Sequence, residues 1–167
     1  MASPLSLKAR ALQWLALREH SRVELRRKLL WLVRRRAAAQ ADGADAADSA
    51  GAAAAAEVDA LLDWLTAHHY ASDTRFVESR VNARAARYGN RRIRLELGLH
   101  GTALDADTAG RLKDSELARA RAVWVRKFGA EPATEAAARA RQMRFLSGRG
   151  FSADVIRRVL RGSQDHD

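Results

Sequence analysis

The sequence predicts an all-α fold, and three observations support this prediction. Apolar side chains recur at helical spacing in almost every segment, as Leu5, Leu12 and Leu15 do near the start. β-branched residues are few, and no long run alternates between apolar and polar side chains as a half-buried strand would. Capping residues and glycines separate the periodic segments. Because 47% of the 167 residues are apolar, the chain can bury a core.

The periodic segments and their boundaries predict nine helices, over residues 5–19, 22–37, 56–69, 73–87, 90–99, 105–112, 114–128, 134–148 and 152–161. The second helix begins after Ser21, because the Ser21 hydroxyl and the Glu24 carboxylate can bind each other's backbone N–H groups in a capping box. The joint before it is then about one residue long, which predicts a steep crossing. Gly89 and Ser152 mark equivalent breaks, and Pro132 stands where a later helix can start.

Three short stretches indicate an internal repeat. LRRKL (25–29), IRLEL (93–97) and IRRVL (156–160) align their apolar ends and place an arginine second. The sequence therefore predicts three tandem three-helix repeats that form an elongated or curved array. The first repeat comprises residues 1–36 and 56–69, the second 70–113 and the third 114–162, with 163–167 as a tail.

The Ala/Asp-rich segment 37–55 interrupts the first repeat. It contains alanine, glycine and acidic residues but no large apolar side chain. Such a composition favours a frayed helical extension or a disordered linker, and it excludes a core element. We interpret the segment as an insertion.

Positive charge is abundant and unevenly distributed. The net charge is +10, with a pI near 11.2, and 26 arginines stand against 4 lysines. Residues 1–36 carry 10 basic and 2 acidic side chains, 37–63 carry 0 and 6, 64–101 carry 7 and 3, and 102–167 carry 13 and 9. This pattern predicts a polyanionic partner, either nucleic acid or an acidic protein surface.

Eight arginines are candidates for that contact because helical geometry places them away from the apolar stripes. They are Arg26, Arg27, Arg34, Arg91, Arg94, Arg157, Arg158 and Arg161. The alternative is that they are solvated charges without a partner. Among the tryptophans, only Trp31 lies off the apolar stripe of its helix, so it is the one candidate for stacking on unpaired bases.

No pattern in the sequence indicates catalysis. The chain has no cysteine, its five histidines lack a zinc-ligand spacing, and the phosphate-binding glycine motifs are missing. We therefore expect no catalytic residue, no metal and no cofactor, and a protein that is not an enzyme. No apolar run is long enough for a signal peptide or a membrane span, so we expect a cytoplasmic protein. We also expect a monomer.

Four stretches together resemble the RecX family of bacterial recombinase regulators. They are LALREHSRVELRRKL (15–29), YASDTRFVESRVNARAARYGNRRIRLELGLHG (70–101), ELARARAVWVRKFG (116–129) and RQMRFLSGRGFSADVIRRVLRG (141–162). The resemblance implies three tandem three-helix repeats that bind the recombinase RecA or its filament on single-stranded DNA. It also implies inhibition of the recombinase, ATPase and coprotease activities of RecA, and weak binding to DNA alone. The insertion at 37–55 departs from the family pattern.

Two other functions are open from the sequence. In a sequence-specific DNA-binding module of helix-turn-helix type, residues 22–36 would enter a major groove with Arg22, Arg26 or Arg27 reading base edges. A one-residue joint is shorter than the usual turn of about three to four residues, which argues against this reading. The third possibility is a helical scaffold for another acidic protein.

Overall fold

The computed structural model describes residues 5–39, 47–129 and 133–161, and in these ranges it contains eight helices and no strand. The all-α prediction is confirmed. The helices are α1 (Leu7–Leu17), α2 (Arg22–Ala38), α3 (Ala47–Ala67), α4 (Asp73–Ala85), α5 (Asn90–Leu99), α6 (Ala106–Phe128), α7 (Ala136–Gly148) and α8 (Ala153–Arg161).

Helix α6 is continuous where the sequence analysis predicted two helices. The predicted break at residue 113 is wrong, because the buried side chains of α6 keep their helical spacing through it: Leu112, Glu116, Ala120 and Val123. One helix therefore runs from the predicted second repeat into the predicted third.

The predicted insertion is partly helical. Residues 47–55 belong to α3, in agreement with the helical-extension alternative, while 40–46 lie outside the described residues. The start predicted at Pro132 also lies outside them, and α7 begins at Ala136.

The joints between helices are longer than predicted. Four residues, 18–21, separate α1 from α2, because Arg18 is already extended at the end of α1. The joints 86–89 and 149–152 have the same length. The predicted one-residue joint is therefore wrong, and the argument from joint length against a helix-turn-helix no longer holds.

The chain divides into two compact units, residues 1–76 and 77–167. In the first unit α1, α2 and α3 surround a core that includes Leu25, Leu29, Val58 and Leu62. Leu65 and Ala71 extend that core at the end of α3 and just beyond it. Burying these side chains against one another is the main stabilising contribution in this unit.

The start of α2 forms only half of the predicted capping box. Ser21 Oγ accepts a hydrogen bond from the Glu24 N–H at 3.1 Å, as predicted. The Glu24 carboxylate, however, pairs with Arg18 and lies 3.1 Å from His20 Nδ1 instead of returning to the Ser21 N–H. The second half of the prediction is wrong because a nearby cation competes for the carboxylate.

In the second unit α6, α7 and α8 enclose a core that includes Trp124, Leu146, Phe151 and Ile156. The joint between α4 and α5 packs directly on the joint between α7 and α8. The Gly89 N–H donates to the Arg149 carbonyl at 2.9 Å, and the Arg91 N–H donates to the Gly150 carbonyl at 3.1 Å. A Cβ atom at Gly89 would lie 2.3 Å from the Gly150 carbonyl, so only glycine fits this approach.

A half-buried arginine on α6 fixes the first of these joints. Arg119 donates to the carbonyl oxygens of Ala85 at 3.0 Å and Tyr88 at 2.8 Å, and also to the side-chain oxygen of Asn90. Burial lowers the pKa of Arg119, and its carbonyl partners satisfy its N–H groups. The nearby Glu116 accepts from the Asn90 N–H at 3.0 Å. Side chains around the two joints are thereby held in defined places.

Candidate partner-binding surfaces

Seven of the eight predicted contact arginines are exposed, and these are Arg27, Arg34, Arg91, Arg94, Arg157, Arg158 and Arg161. The exception, Arg26, is half-buried and binds Asp59 of α3 through two hydrogen bonds of 2.7 and 3.0 Å. This pairing raises the pKa of Arg26 and lowers that of Asp59. Arg26 therefore links α2 to α3 and is less available to a partner.

The three arginines at the repeated position differ in their surroundings. Arg26 is paired across helices, Arg94 is exposed, and Arg157 has a single long hydrogen bond of 3.4 Å to Asp154 on its own helix. The repeat places an arginine at each position, but tertiary packing decides whether it is neutralised.

Several other arginines in residues 1–76 are also paired. Arg22 lies 2.7 Å from Asp63, and Arg75 lies 2.7 Å from Glu19. Arg18 binds the buried Glu24 carboxylate. Acidic side chains of this unit thus neutralise much of the positive charge around the start of α2.

The buried pair at the first joint has shifted pKa values. Burial alone would raise the pKa of Glu24, but hydrogen bonds and charge from Arg18 and His20 outweigh it and lower the pKa to about 2. Burial lowers the pKa of His20 below its ordinary value of 6.5, although the Glu24 carboxylate acts in the opposite direction. His20 is thus part of the joint's packing.

A cationic cleft in residues 77–167 was missed by the sequence analysis. Its cavity of about 200 Å³ has an apolar floor of Val123 and Phe145. Four basic side chains and no carboxylate complete its lining, and they are Arg87, Arg126, Lys127 and Arg149. This concentration of one charge suits an anionic ligand or surface.

Aromatic rings hold the cleft's central arginine in place. The Arg149 guanidinium lies 5.0 Å from the ring centroid of Phe145 and 5.6 Å from that of Tyr88. Its Nη1 atom donates to the Arg87 carbonyl at 3.3 Å. The sequence signal for this cluster was the basic residue in each of the two joints, Arg87 and Arg149.

The structure distinguishes the tryptophans as the sequence predicted. Trp31 is 57% exposed, with the Arg35 guanidinium 5.2 Å from its ring centroid. Trp124 is buried and donates from Nε1 to Gln142 at 3.1 Å. Trp31 is therefore accessible for stacking, although it is already covered in part by a cation.

Within the described residues, no group of His, Cys, Asp and Glu side chains could hold a metal ion. None of the helices in the described part of the chain is long and apolar enough to cross a membrane. What these residues do present is cationic surface on rigid helices. Such a surface suits contact with an anionic partner.

Sequence comparison assigns the family. The family model of the third three-helix domain of RecX matches residues 114–160, which include most of α6, all of α7 and α8 up to Leu160. The chain is 48% identical over 162 residues to Regulatory protein RecX of Ralstonia nicotianae, covering 96% of this chain and 89% of the relative. It is 44% identical to Regulatory protein RecX of Ralstonia pickettii, and the match covers 97% of this chain and 91% of the relative. It is 46% identical to Regulatory protein RecX of Leptothrix cholodnii, and that match covers 98% of this chain and 93% of the relative.

The chain therefore belongs to the RecX family of regulatory proteins. The predicted resemblance is confirmed over nearly the whole chain. The relatives are named as regulatory proteins and not as enzymes.

Proposed function

We propose that this protein binds RecA, or the RecA filament on single-stranded DNA, and inhibits its recombinase, ATPase and coprotease activities. The observation that carries the proposal is similarity over nearly the full chain to proteins named Regulatory protein RecX. Inhibition by binding requires a complementary surface and no reaction chemistry. We further propose that the chain acts as a monomer in the cytoplasm and binds DNA weakly by itself.

The exposed arginines support a nucleoprotein filament as the partner. Such a filament presents phosphates and acidic side chains, and both attract guanidinium groups. Each phosphate that the protein neutralises would steepen the salt dependence of binding by about 0.7 log unit on single strands and about 0.9 on duplex. We propose that the contacts come from the seven exposed arginines predicted from sequence and from the cationic cleft.

A helix-turn-helix DNA-binding module is the second candidate, and the four-residue joint between α1 and α2 favours it. Against it, Arg22 and Arg26, two of the three proposed base readers, are bound to Asp63 and Asp59. Arg27 is the one of these three arginines that is exposed. Base readout through α2 would first have to break two ion pairs.

The proposal is tested by titrating the protein into RecA that hydrolyses ATP on single-stranded DNA. The protein is added before or after filament assembly, and excess competing duplex DNA is added in parallel. We expect the rate to fall at substoichiometric protein and the fall to persist with competing DNA. Stronger inhibition when the protein is added before assembly would indicate that it blocks filament growth.

Loss of inhibition on adding DNA would contradict direct recognition of the recombinase. Selection of a preferred duplex sequence from a random pool would then support the helix-turn-helix alternative. A purely salt-dependent affinity without sequence preference would instead identify a general DNA-binding protein.

A further inference from the structure

A groove beside α5 combines exposed apolar side chains with free positive charge. Its cavity of about 590 Å³ lies wholly within residues 77–167. Among the residues that line it are Arg91, Arg92, Leu95, Leu99, Gly148 and Gly150. We refer to it as the α5 groove.

Two leucines give the α5 groove its apolar character. Leu95 is 67% exposed and Leu99 is 76% exposed, and they lie one helical turn apart on the same face of α5. The helix does not need them for its own packing, because Ile93 and Leu97 are the apolar residues it buries. An adjacent pair of exposed leucines at a concave surface is typical of a binding site for an apolar side chain.

The charge around these leucines is positive. Arg91 and Arg92 are exposed, whereas the groove's carboxylate, Glu96, is already bound by two other arginines. Arg84 donates to Glu96 at 3.0 and 3.1 Å, and Arg80 approaches it to 3.3 Å. The remaining charge complements a carboxylate on the ligand.

The position of Arg92 is fixed relative to Gly148 and Gly150, which form the floor of the α5 groove. Its guanidinium lies 4.6 Å from the Tyr88 ring centroid, and its Nη1 atom donates to the Gly148 carbonyl at 3.4 Å. A Cβ atom at Gly150 would lie 2.5 Å from the Arg92 Cβ, so the floor and α5 are in close contact there. A Cβ atom at Gly148 would meet nothing within 4 Å, so that side of the floor is open.

We propose that the α5 groove binds an acidic peptide segment that inserts an apolar side chain between Leu95 and Leu99. Arg91 and Arg92 would receive its carboxylates. The inference rests on the proposed function, and the segment is accordingly one of RecA. The leucines favour peptide over nucleic acid, because phosphates gain nothing from aliphatic contacts and bases stack on aromatic rings.

The proposal is tested with fluorescently labelled chain and RecA assembled on oligo(dT), with affinity measured by anisotropy. Two variants alter the groove: Leu95→Ser with Leu99→Ser, which removes the apolar contact, and Gly148→Trp, which fills the cavity. Each is expected to weaken binding by at least about tenfold, as loss of a central apolar contact does.

Two matched controls should bind as the wild type does. Leu17→Ser removes a leucine that is 84% exposed in residues 1–76. Gly110→Trp places the same bulky side chain at another helical glycine whose Cβ would meet nothing within 4 Å. Circular dichroism and melting should be the same for both serine variants and the wild type.

Three outcomes would overturn the proposal. If the wild type binds RecA and the leucine double variant binds equally well, the groove is not a contact and the proposed function stands. If only Arg91→Glu weakens binding, and oligo(dT) alone competes, the groove contacts phosphate. If the wild type does not bind RecA, the proposed function fails and the inference falls with it.

Discussion

The two units of this chain use arginine in different ways. Residues 1–76 contain 11 basic and 9 acidic side chains, whereas residues 77–167 contain 19 and 11. In the first unit, α2 and α3 pair Arg22 with Asp63 and Arg26 with Asp59. In the second unit, arginines surround a cleft whose lining includes no carboxylate.

The contrast shows that one sequence pattern can serve two purposes. Arg26 and Arg94 occupy the same place in the repeat, yet Arg26 links two helices and Arg94 is exposed. What differs is the partner within reach: Asp59 of α3 binds Arg26, whereas Arg94 is exposed. We propose that the paired arginines of the first unit serve mainly to link its own helices, while exposed arginines such as Arg94 contact the partner.

The largest expected effect on stability comes from Gly89→Ala, which alters the second unit alone. Its Cβ atom would lie 2.3 Å from the Gly150 backbone, so the two joints must separate. We expect a loss of about 3 kcal/mol in the free energy of unfolding of residues 77–167. A denaturation experiment monitored by hydrogen exchange in α5 and α8 measures this loss.

The control for this substitution is Gly148→Ala, which adds a methyl group where nothing lies within 4 Å. Because alanine favours a helix over glycine, this variant should be stabilised by up to about 1 kcal/mol. Equal stability of Gly89→Ala and the wild type would show that the joints are not in close contact.

The next effect concerns the first unit and its buried carboxylate. Glu24→Gln keeps the hydrogen bond from its N–H to Ser21 but removes the charge that binds Arg18. We expect a cost of about 2 kcal/mol at pH 7, the usual range for a hydrogen bond to a charged group. Hydrogen exchange in α2 at pH 7 measures this loss.

The pH dependence of the free energy of unfolding tests the same carboxylate, and its direction follows from the pKa of Glu24. The pKa of Glu24 is about 2 in the folded chain and 4.5 ordinarily, so the unfolded chain binds more protons between these values. The stabilisation is complete above about pH 4.5 and is lost as the pH falls to about 2. Glu24→Gln should flatten that part of the profile, and an unchanged profile would contradict the assignment.

The smallest expected effect concerns the residue that ends each of three helices. Helices α3, α5 and α7 end in the same hydrogen-bond pattern, with a left-handed residue at His69, Gly101 and Gly150. His69 alone is not glycine, and its φ is 60°. We expect His69→Gly to stabilise residues 1–76 by about 0.5 kcal/mol, and Gly101→His to destabilise the second unit by a similar amount. Paired thermal melts measure both, and a lower melting temperature for His69→Gly would show that its side chain contributes more than its backbone costs.

Local signals predicted most helices of this fold. The periodicity of α2, α5 and α8 and the Ser21 cap are properties of a few neighbouring residues, and the sequence contains them in full. The break predicted inside α6 was wrong, because α6 is continuous from Ala106 to Phe128. No glycine or proline lies between residues 111 and 128 to stop the helix.

The site was only partly predictable, because its properties arise from packing. Exposure of Arg91, Arg94 and Arg157 follows from their own helices. Neutralisation of Arg26 depends on Asp59, 33 residues away on another helix. The cationic cleft likewise joins residues from three parts of the chain, whose convergence is fixed by the contact between two joints.

The most direct test of the account compares two triple variants with the same change in charge. The first triple variant changes Arg94, Arg157 and Arg158 to Gln and removes exposed charge from the second unit. The second triple variant changes Arg22, Arg26 and Arg75 to Gln and removes paired charge from the first unit. Inhibition of RecA ATP hydrolysis on single-stranded DNA is measured for both. We predict that the first triple raises the concentration for half inhibition by about tenfold, while the second leaves it unchanged. An equal or larger loss from the second triple would contradict the division of roles between the units.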